Sequence, residues 1–355
     1  FFKTAKFLRY MSDDVLQDLG FPVEVLPFLR SKLIGPETII SRFDFVKKDN
    51  QIKMLEFNSD TPTFIKECFF INEKVSNHFG KNNPNKGEIN VLKNAITKSI
   101  VESLKKLEIT HIPNIVFTAH DDHLEDWLTC KFLSDLIPIP NKLIPLNQLE
   151  LIDDALVDSD GIPIDILYRQ TYPLEHLIED KDENDKKIGL ELLKLVNAKK
   201  IALINPISAF LLQSKAIQAF IWGLRENRSF FNEEESYAIT TYMLPTFLEP
   251  DTFIGTSTYV EKPVFGREGD TVTIFDQNGK VILQDSQCTY KKELQIYQKY
   301  EELPTLSLET NKGLEQLSYL FGSFFIAGNP SAIGIRAGGK ITANESYFLP
   351  IGIHL

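Results

Sequence analysis

The segment SRFDFVKKDNQIKMLEFNSDTPT, residues 41–63, contains two short runs in which polar and apolar residues alternate. A period of two is typical of half-buried strands, and the polar stretch Lys47–Gln51 between the runs predicts the turn of a hairpin. Phe43 and Phe45 fall on one face of the first strand. Strict alternation in the second strand puts Met54 on the face that also carries the polar residues. The sequence therefore predicts a β-hairpin with one polar and one apolar face.

The polar face of this hairpin brings oxygen-bearing side chains together. If the hairpin is centred on Asn50, Asp44 lies opposite Glu56 and Arg42 lies opposite Asn58. Opposed residues have Cβ atoms about 5 Å apart, and two facing carboxylates destabilise a sheet unless a cation lies between them. Oxygens of Asp, Glu and Asn around one point suit a hard divalent ion, usually Mg²⁺ beside phosphates. The residues alone leave two interpretations open, a magnesium site and a solvated surface hairpin.

Length, composition and charge limit the kinds of partner. The 355 residues suffice for two or three packed subdomains, and no apolar run reaches the roughly 18 residues that span a bilayer. A net charge of −11 disfavours nucleic acid and anionic membranes and is compatible with a cationic, amine-bearing partner. The three cysteines are widely spaced and form no CxxC pair, so we expect buried thiols in a reducing cytoplasm.

Helices and strands alternate after the hairpin. The spacing of apolar residues predicts a helix after Thr63, with Thr61 and Thr63 at its N-terminus, where hydroxyls can cap a helix and a carboxylate or phosphate can bind. Further on, the pattern predicts a helix over 91–107, a buried strand in 111–119, a helix in 121–137 and a helix that begins near Ser208 and contains Lys215. Such alternation predicts a mostly parallel sheet.

A glycine-containing loop, GREGD at 266–270, separates two predicted strands and follows Lys262. The backbone N–H groups and cations of such a loop, including Arg267, can fold over a triphosphate. The segment lacks the GK[ST] ending and precedes a strand, so a Walker site is excluded. From the residues alone, both a phosphate-binding loop and a plain β-turn are compatible with this pattern.

Together these segments resemble the glutathionylspermidine synthase family, whose members are ATP-grasp ligases that join a carboxylate to an amine. The resemblance rests on the RxD strand at Arg42, the following LEFNSDTPT, the KPxxGRxG segment that starts at Lys262, the segment Ser214-Lys215-Ala216, and AIGIRAGG with Arg336. The matched segments follow the family order. The resemblance implies an α/β (α+β) fold of the ATP-grasp type, with mixed sheets and a small lid subdomain that closes over the nucleotide.

The resemblance also implies roles for individual residues, with ATP and Mg²⁺ as cofactors. The implied metal ligands are Asp44, Glu56 and Asn58, and the implied nucleotide-binding residues are Lys215, Lys262, Gly266, Arg267 and Gly269. The implied substrate-binding residues are Arg42, Thr61, Thr63, Glu125 and Asp126. Arg42 would orient a substrate carboxylate, and Arg336 would offset charge on the transferring phosphoryl group. Such a role fits phosphoryl transfer, which is helped chiefly by cations placed where charge builds up.

The chain departs from the family pattern where the substrates bind. Thr61 and Thr63 replace a serine pair, and Asp126 replaces the second glutamate of an acidic pair. Glu125 and Asp126 are also explained as first-turn carboxylates that favour the helix dipole. The amidase domain of the bifunctional members is not expected. The expected partners are a glutathione-like peptide acid and a polyamine-like amine, with no nucleic acid and no membrane, and a homodimer is left open.

We expect a single ligase unit over residues 1–355, located in the cytoplasm. Its approximate subregions are the metal and substrate hairpin with its core at 1–80, an α/β substrate-binding subdomain at 84–200, an ATP-binding lid subdomain at 201–300, and return strands that complete the active site at 301–355. Two alternatives stay open. One is a nucleotide-binding homologue without activity, and the other is a peptide or amino-acid ligase of the ATP-grasp type with a non-polyamine substrate.

Overall fold

The computed structural model describes residues 1–171, 174–183, 185–342 and 346–354. Its strands are β1 Ile40–Lys48, β2 Gln51–Asn58, β3 Ile115–Ala119, β4 Lys142–Leu143, β5 Glu150–Ile152, β6 Ala155–Val157, β7 Ile166–Gln170, β8 Ala202–Ile204, β9 Thr246–Phe247, β10 Tyr259–Pro263, β11 Thr273–Phe275, β12 Val281–Gln284, β13 Gln295–Lys299, β14 Thr305–Thr310, β15 Gly313–Ile326, β16 Asn329–Gly338 and β17 Tyr347–Leu349. Its α-helices are α1 Phe2–Leu8, α2 Asp13–Asp18, α3 Leu26–Leu29, α4 Asn72–His78, α5 Glu88–Lys106, α6 Leu124–Leu136, α7 Leu174–Leu177, α8 Ile188–Asn197, α9 Ala216–Leu224 and α10 Glu233–Tyr242. None of the helices in these ranges is long and apolar enough to cross a membrane.

Six strands form an antiparallel sheet, called here the central sheet. Strand β1 lies between β2 and β15, β16 and β17 follow beyond β15, and β14 also pairs with β15. From Arg42 to Asp44 the hairpin of β1 and β2 has the register that the sequence predicts, with Asp44 opposite Glu56 and Arg42 opposite Asn58. The prediction of a hairpin in this segment is therefore confirmed.

A β-bulge between Asp44 and Phe45 changes the alternation in this hairpin. It pairs Phe45 with Met54, and Met54 is buried in the core against which Phe43 and Phe45 pack. The prediction that Met54 lies on the polar face is wrong, because one extra residue in a strand moves the side chains beyond it to the other face.

A second sheet is parallel, with the order β4-β3-β7-β8. Strand β3 is fully buried, and Phe117 from this strand shares a core with Ile96 and Ile100 of helix α5. Helix α5 begins a few residues earlier than the sequence predicts, directly after Gly87, whose φ is 89°. The parallel sheet is confirmed, and with the antiparallel sheets it makes the mixed α/β fold that the sequence predicts.

A third, antiparallel sheet of five strands, called here the lid sheet, has the order β12-β11-β10-β13-β9. Strands β10 and β11 are neighbours, and the glycine-containing loop 266–270 lies in the connection between them. The turn between β11 and β12 contains Gly279 in the left-handed region, with φ of 76°. The predicted strand–loop–strand unit is therefore confirmed.

The region around Lys215 differs from the single helix, starting near Ser208, that the sequence predicts. A 3₁₀ turn ends at Leu212, and α9 begins only after Lys215, which is its N-cap residue. The backbone N–H of Lys215 donates to the carbonyl of Val264 at 2.9 Å, and the Ser214 hydroxyl donates to the carbonyl of Leu19 at 2.8 Å. These long-range bonds interrupt the helix and hold Lys215 beside the loop that follows β10.

Thr61 and Thr63 lie before the next helix rather than at its N-terminus, where the sequence predicts them. The helical backbone begins at Ile65 and passes through a π-helical turn, Glu67–Ile71. Phe64, between Thr63 and the helix, has a left-handed backbone with φ of 68°. This reversal turns the chain sharply at the end of the hairpin, so that the threonines lie next to the polar face of the central sheet.

Candidate active site

A cleft lies between the central sheet and the lid sheet and encloses about 850 Å³ of space, including open solvent at its mouth. Residues on its wall include seven that the sequence singles out, five of them charged: Asp44, Glu56, Lys215, Lys262, Arg336, Gly266 and Gly269. Apolar residues on its wall include Leu55, Leu244, Val260, Ile274, Leu303 and Leu320. Clefts with such a mixed lining are typical of small-molecule sites. Residues from β1 and from β16, almost 300 positions apart in sequence, thus share one cavity.

Arg42 and Asp44 form a buried ion pair, and Asp44 is the member that lines the cleft. Arg42 Nε donates to Asp44 Oδ1 at 2.6 Å, and Nη2 donates to Oδ2 at 3.0 Å. Gly322 lies opposite Asp44 on β15, and a Cβ atom there would be 2.9 Å from Arg42 Cδ. Arg42 Nη1 also donates to the carbonyl of Thr63 at 2.8 Å. The absence of a side chain at Gly322 therefore leaves room for an arginine that ties β1 to the threonine segment.

Glu56 lies beside this pair and faces cations from the other half of the chain. Asn58 Nδ2 donates to Glu56 Oε1 at 3.2 Å, and Lys215 Nζ lies 3.8 Å from Glu56 Oε2. Burial alone would raise the pKa of Glu56, but the charges of Lys215 and Lys262 outweigh it and lower the pKa to about 2. Glu56 is therefore an anion at neutral pH, as a metal ligand must be.

The donor set of Asp44, Glu56 and Asn58 fits Mg²⁺ in chemical type. Within the described residues there is no group of three or more His, Cys, Asp or Glu side chains that could hold a metal, so a complete all-protein cage is not formed. Mg²⁺ usually binds through one or two carboxylates and completes its shell with waters and substrate phosphates. Two carboxylates and one amide oxygen satisfy that requirement.

Lys262 is held by a chain of buried amides that the sequence does not reveal. Its Nζ donates to Gln298 Oε1 at 2.8 Å, while Gln298 Nε2 donates to Gln218 Oε1 and to Thr246 Oγ1, each at 3.2 Å. Because the Thr246 hydroxyl itself donates to the carbonyl of Leu244, it can accept from Gln298, and the amide oxygen must face Lys262. The sequence gives one indication of this arrangement: Gln218 follows Lys215 by about one helical turn, so both side chains can face the same site.

The loop 266–270 is folded against this cluster. Lys215 Nζ donates to the carbonyl of Gly266 at 2.6 Å, and Arg267 Nη2 donates to Thr61 Oγ1 at 3.3 Å. Gly269 has φ of 76°, and a Cβ atom there would be 2.6 Å from Ile341 Cγ2. A residue with a side chain would therefore push the loop away from the cleft.

Arg336 reaches the same cluster from β16. Its Nη1 lies 3.8 Å from Asp44 Oδ2, and its guanidinium carbon lies 5.2 Å from the centre of the Phe64 ring. The guanidinium carbon of Arg42 lies 5.9 Å from the centre of the same ring. Burial, together with the charge of Arg42, lowers the pKa of Arg336. Its Nε has no hydrogen-bond partner within the described part of the chain, so this cation retains donors for a ligand.

Glu125 and Asp126 occupy the first turn of α6, as predicted, but they are not among the residues that line the cleft. The Nδ1 atom of His123 lies 2.9 Å from the Oδ2 atom of Asp126. Burial raises the pKa of both carboxyls, and the charge of Arg267 acts in the opposite direction on Asp126. The charge of Arg267 thus links Asp126 electrostatically to the loop 266–270.

A second buried ion pair fixes the segment that contains the threonines. Arg169 Nη2 donates to both carboxylate oxygens of Asp60, at 2.8 and 2.7 Å. The neighbouring Gln170 Nε2 donates to the carbonyls of Thr61 and Pro62, each at 3.4 Å. The end of β7 thus holds Asp60–Pro62 in place, a long-range constraint that local sequence patterns do not show.

The fold is a mixed α/β fold of the ATP-grasp type, and the sequence comparisons identify the family. The chain belongs to the glutathionylspermidine synthase preATP-grasp family, which it matches over residues 5–354. This finding confirms the resemblance seen in the sequence motifs.

Known proteins similar to this chain agree with that family. A Haemophilus influenzae protein named "Putative acid--amine ligase" is 24% identical over 324 residues, which are 88% of this chain and 74% of the relative. A glutathione synthetase-like effector from Globodera pallida superposes with a TM-score of 0.60 at 10% identity, over 99% of this chain and 86% of the other. A structure named "Putative gamma-glutamylcysteine synthetase" from Methylobacillus flagellatus gives 0.50 at 9% identity, over 99% and 87%. At these identities the two structures show the fold alone.

Proposed function

We propose that this protein is an ATP-dependent acid–amine ligase that forms an amide bond through an acyl phosphate. One observation carries the proposal: the carboxylates of Asp44 and Glu56 share a cleft with Lys215, Lys262 and Arg336. Cations and metal-binding carboxylates around one cavity are what phosphoryl transfer requires. Membership of the family and the name of the Haemophilus influenzae relative support the same reaction class.

The nucleotide would lie between the two sheets, with its base among the apolar residues of the cleft. Lys215 and Lys262 would neutralise its phosphates, and the loop containing Gly266, Arg267 and Gly269 would cover them. Mg²⁺ would be held by Asp44, Glu56 and Asn58, and it would supply positive charge to the phosphates. The loop would also exclude water, which otherwise hydrolyses an activated acid.

The reaction balances in two displacements. A substrate carboxylate oxygen attacks the γ-phosphorus of ATP, the bond between that phosphorus and the β,γ-bridging oxygen breaks, and ADP leaves. The amine nitrogen then attacks the acyl carbon, phosphate leaves, and the nitrogen loses a proton to form the amide. Arg42, which keeps at least one N–H beyond its bonds to Asp44 and Thr63, would orient the acid. Arg336 would offset the charge that develops during transfer.

The substrates we propose are a glutathione-like peptide acid and a polyamine-like amine in the cytoplasm. Thr61 and Thr63 would contact the acid, and Glu125 and Asp126 would attract the amine. The net charge of −11 is compatible with a cationic substrate. The threonine pair and Asp126 differ from the family pattern, and this specific observation favours a second candidate, a ligase of the same type that joins another peptide or amino acid.

Turnover of ATP in the presence of Mg²⁺ tests the function. Purified protein should release ADP only when both an acid and an amine are present, and mass spectrometry should detect the condensed product. A panel that crosses glutathione and other peptides with spermidine and amino acids distinguishes the two candidates. Tight ATP binding with no ADP release for any pair would instead indicate a nucleotide-binding protein without ligase activity.

Replacing Glu56 with Gln should weaken the binding of magnesium. The amide keeps the size of the side chain but removes the charge that faces Lys215 and Lys262. We expect the Mg²⁺ concentration for half-maximal ADP release to rise by about 10- to 100-fold, the loss typical of a weakened metal shell. Glu302→Gln, which removes a charge from an exposed pair with Lys48, is the control. An unchanged Mg²⁺ requirement in Glu56→Gln would remove Glu56 from the metal site.

The affinity for ATP should fall as the pH rises through about 8. Burial lowers the pKa of Lys262 to about 8, although the charge of Glu56 acts in the opposite direction. Above this pH the free enzyme loses the proton, and with it the positive charge that would meet the phosphates, so kcat/KM for ATP should decline. Lys262→Arg is the matched variant, because arginine stays charged, and its profile should lack this decline. If kcat/KM for ATP declined equally in the wild type and in Lys262→Arg, the titrating group would be one other than Lys262.

A further inference from the structure

Lys340 is a cation of the cleft to which neither the sequence motifs nor the proposed reaction assigns a role. It follows Arg336 closely in the chain, just beyond the end of β16, and it lines the cavity together with its neighbours Ile341 and Thr342. The residue is exposed, so it lies where the cavity opens to solvent. A positive side chain in this place attracts an anion that enters the cleft.

The ammonium group of Lys340 differs from the other cations discussed above because it has no partner. Lys215 donates to a loop carbonyl at 2.6 Å, Lys262 donates to a buried amide at 2.8 Å, and Arg336 lies 3.8 Å from a carboxylate. Lys340 makes no hydrogen bond or ion pair with any residue in the described part of the chain. Its charge and all of its N–H donors are therefore available to a ligand.

The segment that carries Lys340, residues 338–342 and called here the strap, packs against the glycine-containing loop 266–270. A Cβ atom on Gly269 would be 2.6 Å from Ile341 Cγ2 and 2.9 Å from the carbonyl oxygen of Thr342. The residue next to Lys340 thus touches the loop that would cover the phosphates. Lys340 lies at the loop end of the cleft.

The register of the lid sheet separates this end of the cleft from the other. Pro263, which precedes the loop, lies at one end of β10, and Tyr259, opposite Lys299, lies at the other end, about 13 Å away. From Lys299 the chain continues to Leu303, an apolar residue of the cleft wall. The apolar wall proposed for the base and the loop proposed for the phosphates are therefore at different ends, and Lys340 is at the phosphate end.

We infer that Lys340 binds the terminal phosphates of the nucleotide, as a further cation beside Lys215, Lys262 and Arg336. A compact ammonium on a flexible stem suits phosphate oxygens, to which it acts as a point charge. A carboxylate of the acid is the other anion expected in the reaction, but Thr61, proposed to contact it, is not among the residues that line this cavity. The nature of the nucleotide rests on the proposed function.

Calorimetric titration of the full chain with ATP, ADP and AMP tests this inference, with Mg²⁺ present and with no acid or amine. Lys340→Met keeps much of the length of the side chain and removes its charge. It should weaken the binding of ATP and ADP by about tenfold, the effect of losing a hydrogen bond to a charged group. The binding of AMP, which lacks the terminal phosphates, should not change. Lys340→Arg, which keeps the charge, should recover most of the affinity.

Lys280→Met is the matched control. Lys280 is an exposed lysine in the turn between β11 and β12 and is not among the residues that line the cleft. The same loss of charge there should leave the affinity for ATP as in the wild type. Added salt should reduce the difference between Lys340→Met and the wild type, because salt screens charges that are exposed to solvent.

The inference is overturned if the wild type binds no ATP or if Lys340→Met binds ATP as the wild type does. It is also overturned if the affinity for AMP falls as much as that for ATP, or if Lys280→Met causes an equal loss. Amide formation by the wild type is scored separately. Weaker ATP binding by Lys340→Met without any amide product from the wild type contradicts the ligase proposal and leaves the phosphate contact standing. Amide formation with unchanged ATP binding by Lys340→Met does the reverse.

Discussion

Arg336→Ala should lower kcat by about 10³-fold or more, the effect typical of removing an arginine that stabilises a transferring phosphoryl group. The guanidinium of Arg336 lies within 3.8 Å of Asp44, beside the proposed metal ligands, and its Nε is unbonded within the described residues. Its donors are thus available where charge would develop. KM for ATP should change much less, because this charge builds up only in the transition state.

The fold of Arg336→Ala should survive, because its one ion pair in the described structure is long and its other contact is with the face of Phe64. ADP release and a thermal melt measured on the same preparation separate activity from stability. Arg336→Lys, which keeps the charge but loses the planar fork, should recover part of the rate. A rate for Arg336→Ala within tenfold of the wild type would refute its role in phosphoryl transfer.

Arg42→Ala should lower the free energy of unfolding by about 3–5 kcal/mol, the usual effect of leaving one member of a buried ion pair alone. Asp44 is 1% exposed and receives two hydrogen bonds from Arg42. Burial already raises the pKa of Asp44, and Arg42 opposes that rise. Without Arg42 the pKa rises further, so the loss should be largest at neutral pH and shrink as acid protonates Asp44.

Urea unfolding at pH 7 and at pH 4 measures this effect as a difference between variant and wild type at each pH. Arg42→Ala combined with Asp44→Asn should recover much of the stability, since the second change removes the unpaired charge. Lys131→Ala, which breaks an exposed pair with Asp135, should change stability by less than about 1 kcal/mol. Equal losses for Arg42→Ala and Lys131→Ala would mean that the buried pair is not a stabilising element.

The parts of the fold that were predictable from sequence are those governed by local periodicity. Two alternating runs and a short polar turn predict a hairpin. They also predict that Asp44 and Glu56 face each other across it, as the structure shows. The parallel sheet follows from alternating helix and strand patterns. The bulge after Asp44 was not predictable, because nothing within the two runs marks the extra residue that puts Met54 in the core.

The parts of the site that sequence did not reveal depend on contacts between distant segments. The break before Lys215 is made by bonds to Leu19 and Val264, whereas the local pattern continues as a helix. The role of Gln298 is visible only in the folded chain, where its side chain bonds to Lys262 on one side and to Gln218 on the other. The resemblance to a family identifies the cationic residues of the site. Only the structure shows which side chains hold them in position.

The central sheet joins strands that are far apart in the sequence. Ser41 donates a hydrogen bond to the carbonyl of Phe325, 284 residues later in the chain, and β1 lies between strands from both ends. Contacts between such distant residues form late and slowly. On the ribosome, the hairpin that carries Asp44 and Glu56 is made before β15 and β16 and must wait for them. The nascent chain therefore carries the proposed metal ligands long before it carries Arg336, and the proposed phosphoryl transfer cannot begin until β16 has been made.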